Sequence, residues 1–335
     1  MRSAFPCPIC SRDDWAVVQT TVYRPGDRGA PGGPLTEYEL VRRRILFEVW
    51  CPDVAEVTLQ ARACGGCGFV AYSPRPTEDD LDAHYRYLQE VERNIGGSHG
   101  SARARELDRR RARRTARAIL RHRGDGRLRV LDHGGGDGKL LEPFLARGDD
   151  CALVDYNVIP LAGVRKVGDT LDDVPAGERY DAIVCSHVLE HVAQPRELLT
   201  ALADRLTPGG VVFAEVPLEV WKRVPIHRDP VTHVNFFTPA SFRALFERSG
   251  LHALELRRER GSYGGSRKDV LVAVGTPDPA VAPGAADGPA QTARLLDPTL
   301  AMELGALLRQ RRLPKLGGVR RRLRGRRWLD EHRPR

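Results

Sequence analysis

Nine consecutive residues, Val-Leu-Asp-His-Gly-Gly-Gly-Asp-Gly at positions 130–138, have the composition of a ligand-binding turn. Apolar residues lead into this run and a helical pattern follows it, which predicts a strand, a tight turn and a helix. Glycine permits positive φ and lets the backbone approach a ligand above the end of the strand. The acid Asp132 precedes alternating glycines, whereas a dinucleotide fold has G-x-G-x-x-G, so the spacing indicates a different adenosine cofactor. The alternating glycines are Gly134, Gly136 and Gly138.

Two cysteine pairs near the N-terminus have the spacing of metal ligands. The first is Cys7-Pro-Ile-Cys10 and the second is Cys64-Gly-Gly-Cys67. A tight turn of this length presents two sulfur atoms to one tetrahedral zinc ion. Four thiolates leave no open coordination position, so the expected Zn²⁺ is structural and not catalytic. Two alternatives stay open: the thiols are reduced and unligated, or Cys51 replaces one ligand.

The elements that must position these residues follow from the pattern of apolar runs. Short runs at residues 151–155, 180–185 and 211–217 alternate with helical segments. This alternation predicts an α/β fold with a parallel sheet covered on both faces. Ligands bind such sheets at the carboxyl ends of the strands, which is where the glycine turn lies.

The order of these motifs resembles that of the class I S-adenosylmethionine-dependent methyltransferases, whose first motif is an acid followed by alternating glycines. The resemblance continues with Ser-His-Val-Leu-Glu-His at residues 186–191 and with Leu-Thr-Pro-Gly-Gly at residues 206–210. It implies a Rossmann-like sheet that is mostly parallel, with an antiparallel last strand in a hairpin formed by residues 252–260 and 268–275. It also implies S-adenosylmethionine as the cofactor, bound across the tips of the first, second and fourth strands.

The resemblance also assigns roles to individual residues. The glycines of the turn would let the backbone approach the cofactor, and Asp132 would hold the amino end of its methionine part. Asp155, about 20 residues beyond the turn, would accept the ribose hydroxyls. Asp169 stands where the family lines the adenine. His187, directly after the fourth strand, would lie near the methionine part or the reacting methyl group.

Two histidines are candidates for the base that removes a proton from the acceptor. Methyl transfer from a sulfonium needs an aligned acceptor and a proton acceptor, a task that suits histidine near neutral pH. His227 and His233 lie in the loop after the fifth strand, which the fold presents to the acceptor. His233 is favoured because the Val-Asn-Phe-Phe-Thr-Pro that follows it matches the family motif. Alternatively, His233 only holds the loop in shape beside a helix cap at Thr238.

The N-terminal part of the chain resembles a known arrangement as well. A zinc ribbon followed by Cys-Gly, a Pro-x-Pro turn and a helix ending in His-Tyr is similar to the N-terminal segment of a group of bacterial methyltransferases. Members of that group act on sugars, cell-surface polysaccharide precursors or secondary metabolites. The predicted units are a zinc-ribbon domain at residues 1–77, a helical connector at 78–126, the methyltransferase domain at 127–276, a linker at 277–290 and a basic tail at 291–335. The tail is expected to begin with a helix from residue 291 to about residue 312.

The net charge of +9 is concentrated near the C-terminus, where residues 307–335 contain twelve Lys or Arg and two acids. This basic run could bind RNA, an anionic membrane surface or a phosphorylated acceptor, and we favour an arginine-rich, partly disordered tail. A second arginine-dense stretch, residues 101–123, predicts a helix with its arginines on the solvated side. A nucleic-acid face is the alternative for this helix. The residues expected to face inward are Leu107, Ala112, Ala116, Ile119 and Leu120.

The composition of the chain also indicates whether the protein spans a membrane and where in the cell it is located. Hydrophobic residues make up 41% of the chain and no apolar run approaches the length of a membrane span, so no transmembrane segment is expected. No signal peptide precedes the first cysteine pair, which predicts a cytoplasmic location with reduced thiols.

The predicted function is methylation of oxygen or carbon in a small molecule, with a sugar or natural-product intermediate favoured as acceptor. The alternatives are an RNA methyltransferase that uses the basic helix and tail, and a non-catalytic protein that keeps the fold for binding. The sequence alone leaves the acceptor atom and the oligomeric state open.

Overall fold

The computed structural model describes residues 1, 4–30, 33–95, 102–156, 158–225, 229–263, 266–278 and 287–303. The chain begins with a small antiparallel sheet that brings the two cysteine pairs together. Strand β1 (Trp15–Tyr23) pairs with β4 (Val57–Cys64), which pairs in turn with β5 (Val70–Ser73). The turn between β4 and β5 carries the second cysteine pair, and the first pair precedes β1.

A long insertion separates β1 from β4. It contains the two-residue strands β2 (Gly29–Ala30) and β3 (Gly33–Pro34), and then helix α1 (Glu37–Ile45). A π-helical turn, Leu46–Trp50, continues the helix. The helix begins with a capping box, in which the hydroxyl of Thr36 accepts from the backbone of Glu39 and the Glu39 carboxylate accepts from the backbone of Thr36.

Two long helices connect this sheet to the larger one. They are α2 (Glu78–Ile95) and α3 (Ala102–Arg123). Helix α3 buries Leu107, Ala112, Ala116 and Ile119, as predicted, and Leu120 is half-buried against the same core. The expectation that its arginines are solvated is wrong for Arg111, which is buried because it forms an ion pair with Glu215 inside the protein.

A seven-stranded sheet forms the second part of the fold. In chain order its strands are β6 (Arg129–His133), β7 (Asp150–Val154), β8 (Val164–Gly168), β9 (Tyr180–Ser186), β10 (Leu206–Pro217), β12 (Leu251–Tyr263) and β13 (Ser266–Pro277). Their order across the sheet is β12-β13-β10-β9-β6-β7-β8. Strands β6 to β10 are parallel, whereas β13 is antiparallel to both β10 and β12. This confirms the predicted α/β fold, with a mostly parallel sheet and an antiparallel last strand in a hairpin.

Helices cover the larger sheet on both faces. Helix α3 and the short α4 (Glu142–Leu145) pack on one face, where Ile119 and Phe144 are fully buried. Helices α5 (Pro195–Ala203) and α6 (Pro239–Arg248) bury Leu199 and Phe242 on the other face. Burial on both faces explains why strands such as β7 and β9 read as continuous apolar runs. No helix in the described ranges is long and apolar enough to cross a membrane.

Two short elements connect the parts of the chain. Strand β11 (Asn235–Phe236), from the loop after β10, pairs with β5 and so adds a fourth strand to the N-terminal sheet. Helix α7 (Gly288–Leu296) packs on the second cysteine turn, where the Thr292 hydroxyl donates to the Gly68 carbonyl at 2.7 Å. The prediction of one continuous helix from residue 291 is wrong, because α7 begins at Gly288 and ends before Pro298, whose ring interrupts a helix. The basic run beyond residue 303 lies outside the described residues.

Candidate active site

The glycine turn follows β6 at the carboxyl edge of the larger sheet. Gly134, Gly136 and Gly138 have φ of 68°, 61° and 84°, the left-handed region that disfavours a side chain. Gly135 is constrained by contact instead, because a Cβ atom at this position would lie 2.2 Å from Oδ2 of Asp132. The turn therefore brings the backbone directly over the Asp132 carboxylate.

Asp132, at the tip of β6, is completely buried. Neither of its carboxylate oxygens has a hydrogen-bond partner among the residues that the structure describes. Burial raises the pKa of this carboxyl to about 7, and the nearby positive charge of Arg111 opposes the increase only in part. A buried acid without a partner is costly, so this carboxylate is suited to a ligand that brings a cation. The amino end of S-adenosylmethionine fits that requirement.

Asp155, directly after β7, joins its strand to the glycine turn. Its Oδ2 atom accepts from the backbone N–H of Gly136 at 2.6 Å, and its Oδ1 atom accepts from the N–H of Tyr156 at 2.7 Å. The carboxylate is therefore held at the edge where a ligand over the turn would meet it. Asp169 lies further along the same edge, on the surface, and its carboxylate is 2.5 Å from Nζ of Lys166.

His187 follows β9 and is buried in a charged cluster with a φ of 60°. Its Nδ1 atom lies 3.0 Å from the Glu190 carboxylate and its Nε2 atom lies 3.2 Å from Glu215. Arg111 and Arg114, from α3, also contact Glu215. Burial opposes charge on His187, but the two glutamates outweigh it and raise the pKa of this histidine. The cluster thus fixes the loop after β9 through paired charges.

His233 lies beyond β10 with its Nδ1 atom 2.7 Å from Oε2 of Glu219. The ring of His191 packs edge-on against it, with 4.9 Å between the ring centroids. Although burial lowers the pKa of His233, the carboxylate of Glu219, with help from Glu190 and Asp229, raises it to about 9. His233 is therefore the more basic of the two rings.

The pKa of His191 is shifted in the opposite direction to that of His233. Burial lowers the pKa of His191 to about 4, despite the opposing charge of Glu190. Its Nδ1 atom is 2.7 Å from the Thr232 carbonyl, which a neutral ring donates to. A neutral His191 beside a basic His233 places one uncharged and one titratable ring in the loop. His227, the second predicted base, lies outside the described residues.

The N-terminal sheet holds the loop that carries His233. Arg75 is buried, and its guanidinium donates to the Ala193 carbonyl at 2.6 Å and to Oδ1 of Asn235 at 2.7 Å. The Asn235 amide donates in turn to the Leu189 carbonyl at 2.6 Å. The Tyr72 hydroxyl donates to the Asp229 carbonyl at 3.2 Å. These bonds join β5 to the loops after β9 and β10, so both sheets determine the shape of the site.

The four predicted metal ligands meet in one cluster. The Sγ atoms of Cys7 and Cys67 are 3.7 Å apart, and those of Cys10 and Cys64 are 3.4 Å apart. All four sulfur atoms lie within 4.8 Å of one another. Tetrahedral zinc with Zn–S bonds of about 2.3 Å would put its sulfurs about 3.8 Å apart, so the donor set fits this ion. Cys51 is elsewhere, with its sulfur 3.5 Å from the sulfur of Met1.

Sequence reasoning missed the charged partners in this region. Glu215, Glu219 and Arg111 carry no local motif, and only their contacts with the histidines and with one another distinguish them from other charged residues. Arg75 had a local signal, the Pro-Arg-Pro turn, but its partners are more than 100 residues away.

Comparison with known proteins shows that part of this chain is similar to methyltransferases. The family described as "Methyltransferase domain" matches residues 103–256. A ubiquinone biosynthesis O-methyltransferase of Nitrobacter winogradskyi is 30% identical over 151 residues, which are 38% of this chain and 58% of that protein. One of Cereibacter sphaeroides is 38% identical over 97 residues, covering 25% of this chain and 39% of that protein. The chain thus spans less than two thirds of the length of these relatives.

Solved structures of methyltransferases are similar as well. The 1,6-didemethyltoxoflavin-N1-methyltransferase of Burkholderia thailandensis has a TM-score of 0.48 and 18% identity, and it covers 65% of this chain and 96% of its own. The family match coincides with helix α3 and most of the seven-stranded sheet, including the glycine turn. Residues 103–256, which make up less than half of this chain, are therefore similar in sequence to methyltransferase domains.

Proposed function

We propose that the protein is an enzyme that transfers a methyl group from S-adenosylmethionine to oxygen or carbon of a small molecule. The observation that carries the proposal is the buried Asp132 carboxylate, which has no partner among the described residues and lies against the glycine turn. The names of the relatives, O-methyltransferases of ubiquinone biosynthesis, support a small acceptor and favour oxygen. A sugar or natural-product intermediate remains our narrower proposal, and it rests on the resemblance of the N-terminal segment.

The proposed cofactor site uses the carboxyl edge of the sheet. Asp132 would hold the amino end of the methionine part, Asp155 the ribose hydroxyls and Asp169 the adenine side. His187 would line the methionine part, held in place by Glu190 and Glu215. The backbone of three glycines would approach the cofactor, namely Gly134, Gly136 and Gly138. When bound, S-adenosylmethionine supplies an electrophilic methyl group.

The proposed acceptor site lies between the loop after β10 and the N-terminal sheet. His233 would take the proton from the acceptor, and His227 is the second candidate for this role. The chain itself needs to orient the acceptor and exclude water, because the methyl donor is already activated. Arg75 and Tyr72 support this arrangement, since they attach the loop to β5.

We further infer that Cys7, Cys10, Cys64 and Cys67 bind one structural Zn²⁺. The supporting observation is the spacing of their sulfur atoms within 4.8 Å of one another. All four residues belong to the same apolar core as Leu199 of α5 and Phe242 of α6. Zinc would therefore stabilise the contact between the two sheets. It would take no part in methyl transfer, which we assign to the loops at the carboxyl edge of the larger sheet.

Calorimetric titration with S-adenosylmethionine tests the cofactor site. We expect saturable binding to the wild-type chain, and an affinity about 10- to 100-fold lower in Asp155→Ala, because a charged hydrogen bond contributes about 1.5–3 kcal/mol. Asp150→Ala is the matched control, since Asp150 begins the same strand at the opposite edge of the sheet. Absence of binding by the folded wild-type chain would contradict the proposed function.

The affinity for S-adenosylmethionine should depend on pH through Asp132. The cation needs the charged carboxylate, and the pKa of this carboxyl is raised to about 7, so protonation competes with binding below that value. We expect the dissociation constant to rise about tenfold for each pH unit below 7 and to level off above it. Calorimetry between about pH 5.5 and 8.5 measures this. In Asp132→Asn the affinity should be low and independent of pH, and a slope that persists in this variant would assign the titration to another group.

A further inference from the structure

A carboxylate outside every motif described above contacts the candidate base. Glu219 stands two residues beyond β10, and its Oε2 atom lies 2.7 Å from Nδ1 of His233, 14 residues further along the chain. The Glu219 and His233 side chains are 20% and 17% exposed, so the pair is largely shielded from water without being sealed from it. At this distance the ring N–H at Nδ1 donates to the carboxylate.

This contact decides which nitrogen of His233 carries the proton when the ring is neutral. A carboxylate can only accept, so it keeps the proton on Nδ1 and leaves the lone pair on Nε2. Among the described residues, none forms a hydrogen bond with Nε2 of His233. The Nε2 atom is therefore the one available to an acceptor.

The ring of His233 also contacts the ring of a second histidine. His191 packs edge-on against it at 4.9 Å, and His191 is itself held by the Thr232 carbonyl. On the other side the backbone N–H of Val234 donates to the Glu190 carbonyl at 2.9 Å, which fixes the residue after His233. The ring of His233 thus has two side-chain neighbours that orient it, the Glu219 carboxylate and the ring of His191.

We propose that Glu219 is a positioning residue for His233, holding the proton on Nδ1 so that Nε2 takes the proton of the acceptor. This rests on the proposed function. The acceptor O–H proton moves to Nε2, and the electron pair of that bond forms the new O–CH₃ bond. The electrons of the breaking C–S bond stay on sulfur, so the positive charge passes from the sulfonium to the imidazolium, where Glu219 offsets it.

The charged groups around His233 determine the pKa that is expected for its ring. The groups that face His233 are the carboxylates of Glu219, Glu190 and Asp229 and the ring of His191. Glu219 is the acid in hydrogen-bond contact, so removal of its charge should have the largest effect among the three acids. The change expected in Glu219→Gln is a fall in the pKa of His233 from about 9 by at least about one unit.

Nuclear magnetic resonance of the imidazole groups tests this without any acceptor. Titration of the full chain with bound S-adenosylhomocysteine reports the pKa of His233, and its ring nitrogen shifts report the tautomer. In the wild type we expect the proton on Nδ1 above the pKa. Glu219→Gln should lower the pKa, and Glu219→Ala should move the proton to Nε2. Glu219→Asp keeps the charge and should retain most of the raised pKa. Glu106→Gln, an exposed acid on α3 that pairs with arginines, is the matched control.

A rate measurement completes the test. Methyl transfer to catechol, as a probe with dissociable hydroxyls, should show its acid limb shifted to lower pH in Glu219→Gln by the same amount as the pKa. An unchanged pKa of His233 in that variant would overturn the proposal, and so would a shifted pKa with an unchanged pH–rate profile. Failure of the proposed function itself has a different signature, namely no binding of S-adenosylmethionine by the wild type. If no probe is methylated, the titration and the tautomer alone decide the role of Glu219.

Discussion

Glutamine in place of His233 is expected to lower the rate constant of methyl transfer by about 10²- to 10⁴-fold, the usual contribution of a general base. Glutamine is similar in size and can still donate a hydrogen bond to Glu219, so the loop should keep its shape. It cannot take up a proton, however. The affinity for S-adenosylmethionine should stay unchanged, because His233 lies beyond β10 and not at the glycine turn.

The pH dependence of the wild type gives the sign of this effect. The pKa of His233 is raised to about 9, so the ring is mostly protonated at neutral pH and only its minor neutral form can act as a base. The rate constant should therefore increase with pH up to about 9 and then level off. Single-turnover measurements with saturating cofactor would follow the chemical step directly. In His233→Gln the remaining rate should lose this dependence.

A second histidine variant serves as a control that distinguishes loss of the catalytic base from a general loss of structure. His252, at the exposed start of β12, can be replaced by glutamine as the control, and that variant should retain the wild-type rate. Equal rates in the wild type and His233→Gln would exclude His233 as the base and would transfer the role to His227 or to another group. A loss of cofactor affinity in His233→Gln would indicate instead that the ring supports the fold of the site.

Loss of the cysteine cluster is expected to have the largest effect on stability. The double variant Cys7→Ser/Cys10→Ser should contain no zinc by elemental analysis, whereas the wild type should contain about one zinc per chain. Structural zinc contributes an apparent 10–16 kcal/mol in zinc-finger peptides, roughly the whole folding stability of a domain. We therefore expect the N-terminal sheet to unfold in the variant and the thermal transition to begin far below that of the wild type.

The effect should extend beyond the N-terminal sheet, because the cysteines share one apolar core with α5 and α6. Cofactor affinity should therefore fall as well when a strong chelator removes the metal. Cys51→Ser is the control, since this cysteine is half-buried and lies outside the cluster. It should keep both zinc and stability. A double variant that is as stable as the wild type would show that the four thiols pack in the core without a metal.

The contacts explain which features were predictable. The glycine turn and the acids at the tips of β6 and β7 are determined within about 25 residues of contiguous chain, where a strand, a turn and a helix follow one another. Each cysteine pair is also a local feature, because two residues between the thiols fix their geometry. The fold class follows from the same kind of information, since alternating apolar runs and helices specify a covered parallel sheet.

The contacts that could not be predicted from the sequence join residues that are far apart in the chain. Arg111 and Glu215 are 104 residues apart, and Arg75 and Asn235 are 160 residues apart. Charged and polar groups can be buried only when they are paired, and the partner is chosen by sheet order and register, which no local pattern reveals. For this reason an arginine-rich helix that reads as solvated contributes Arg111 to the interior.

The sheet, the glycine turn with Asp132 and Asp155, and the spacing of the cysteines can all be predicted from the amino-acid sequence, because each depends on residues close together in the chain. Only the tertiary structure revealed that Glu219 holds His233 and that Glu190 and Glu215 hold His187. It also brought the two cysteine pairs into one cluster and joined the N-terminal sheet to the loop of the site. The physical reason is that a side chain acquires its proton affinity and its orientation from neighbours that folding brings close.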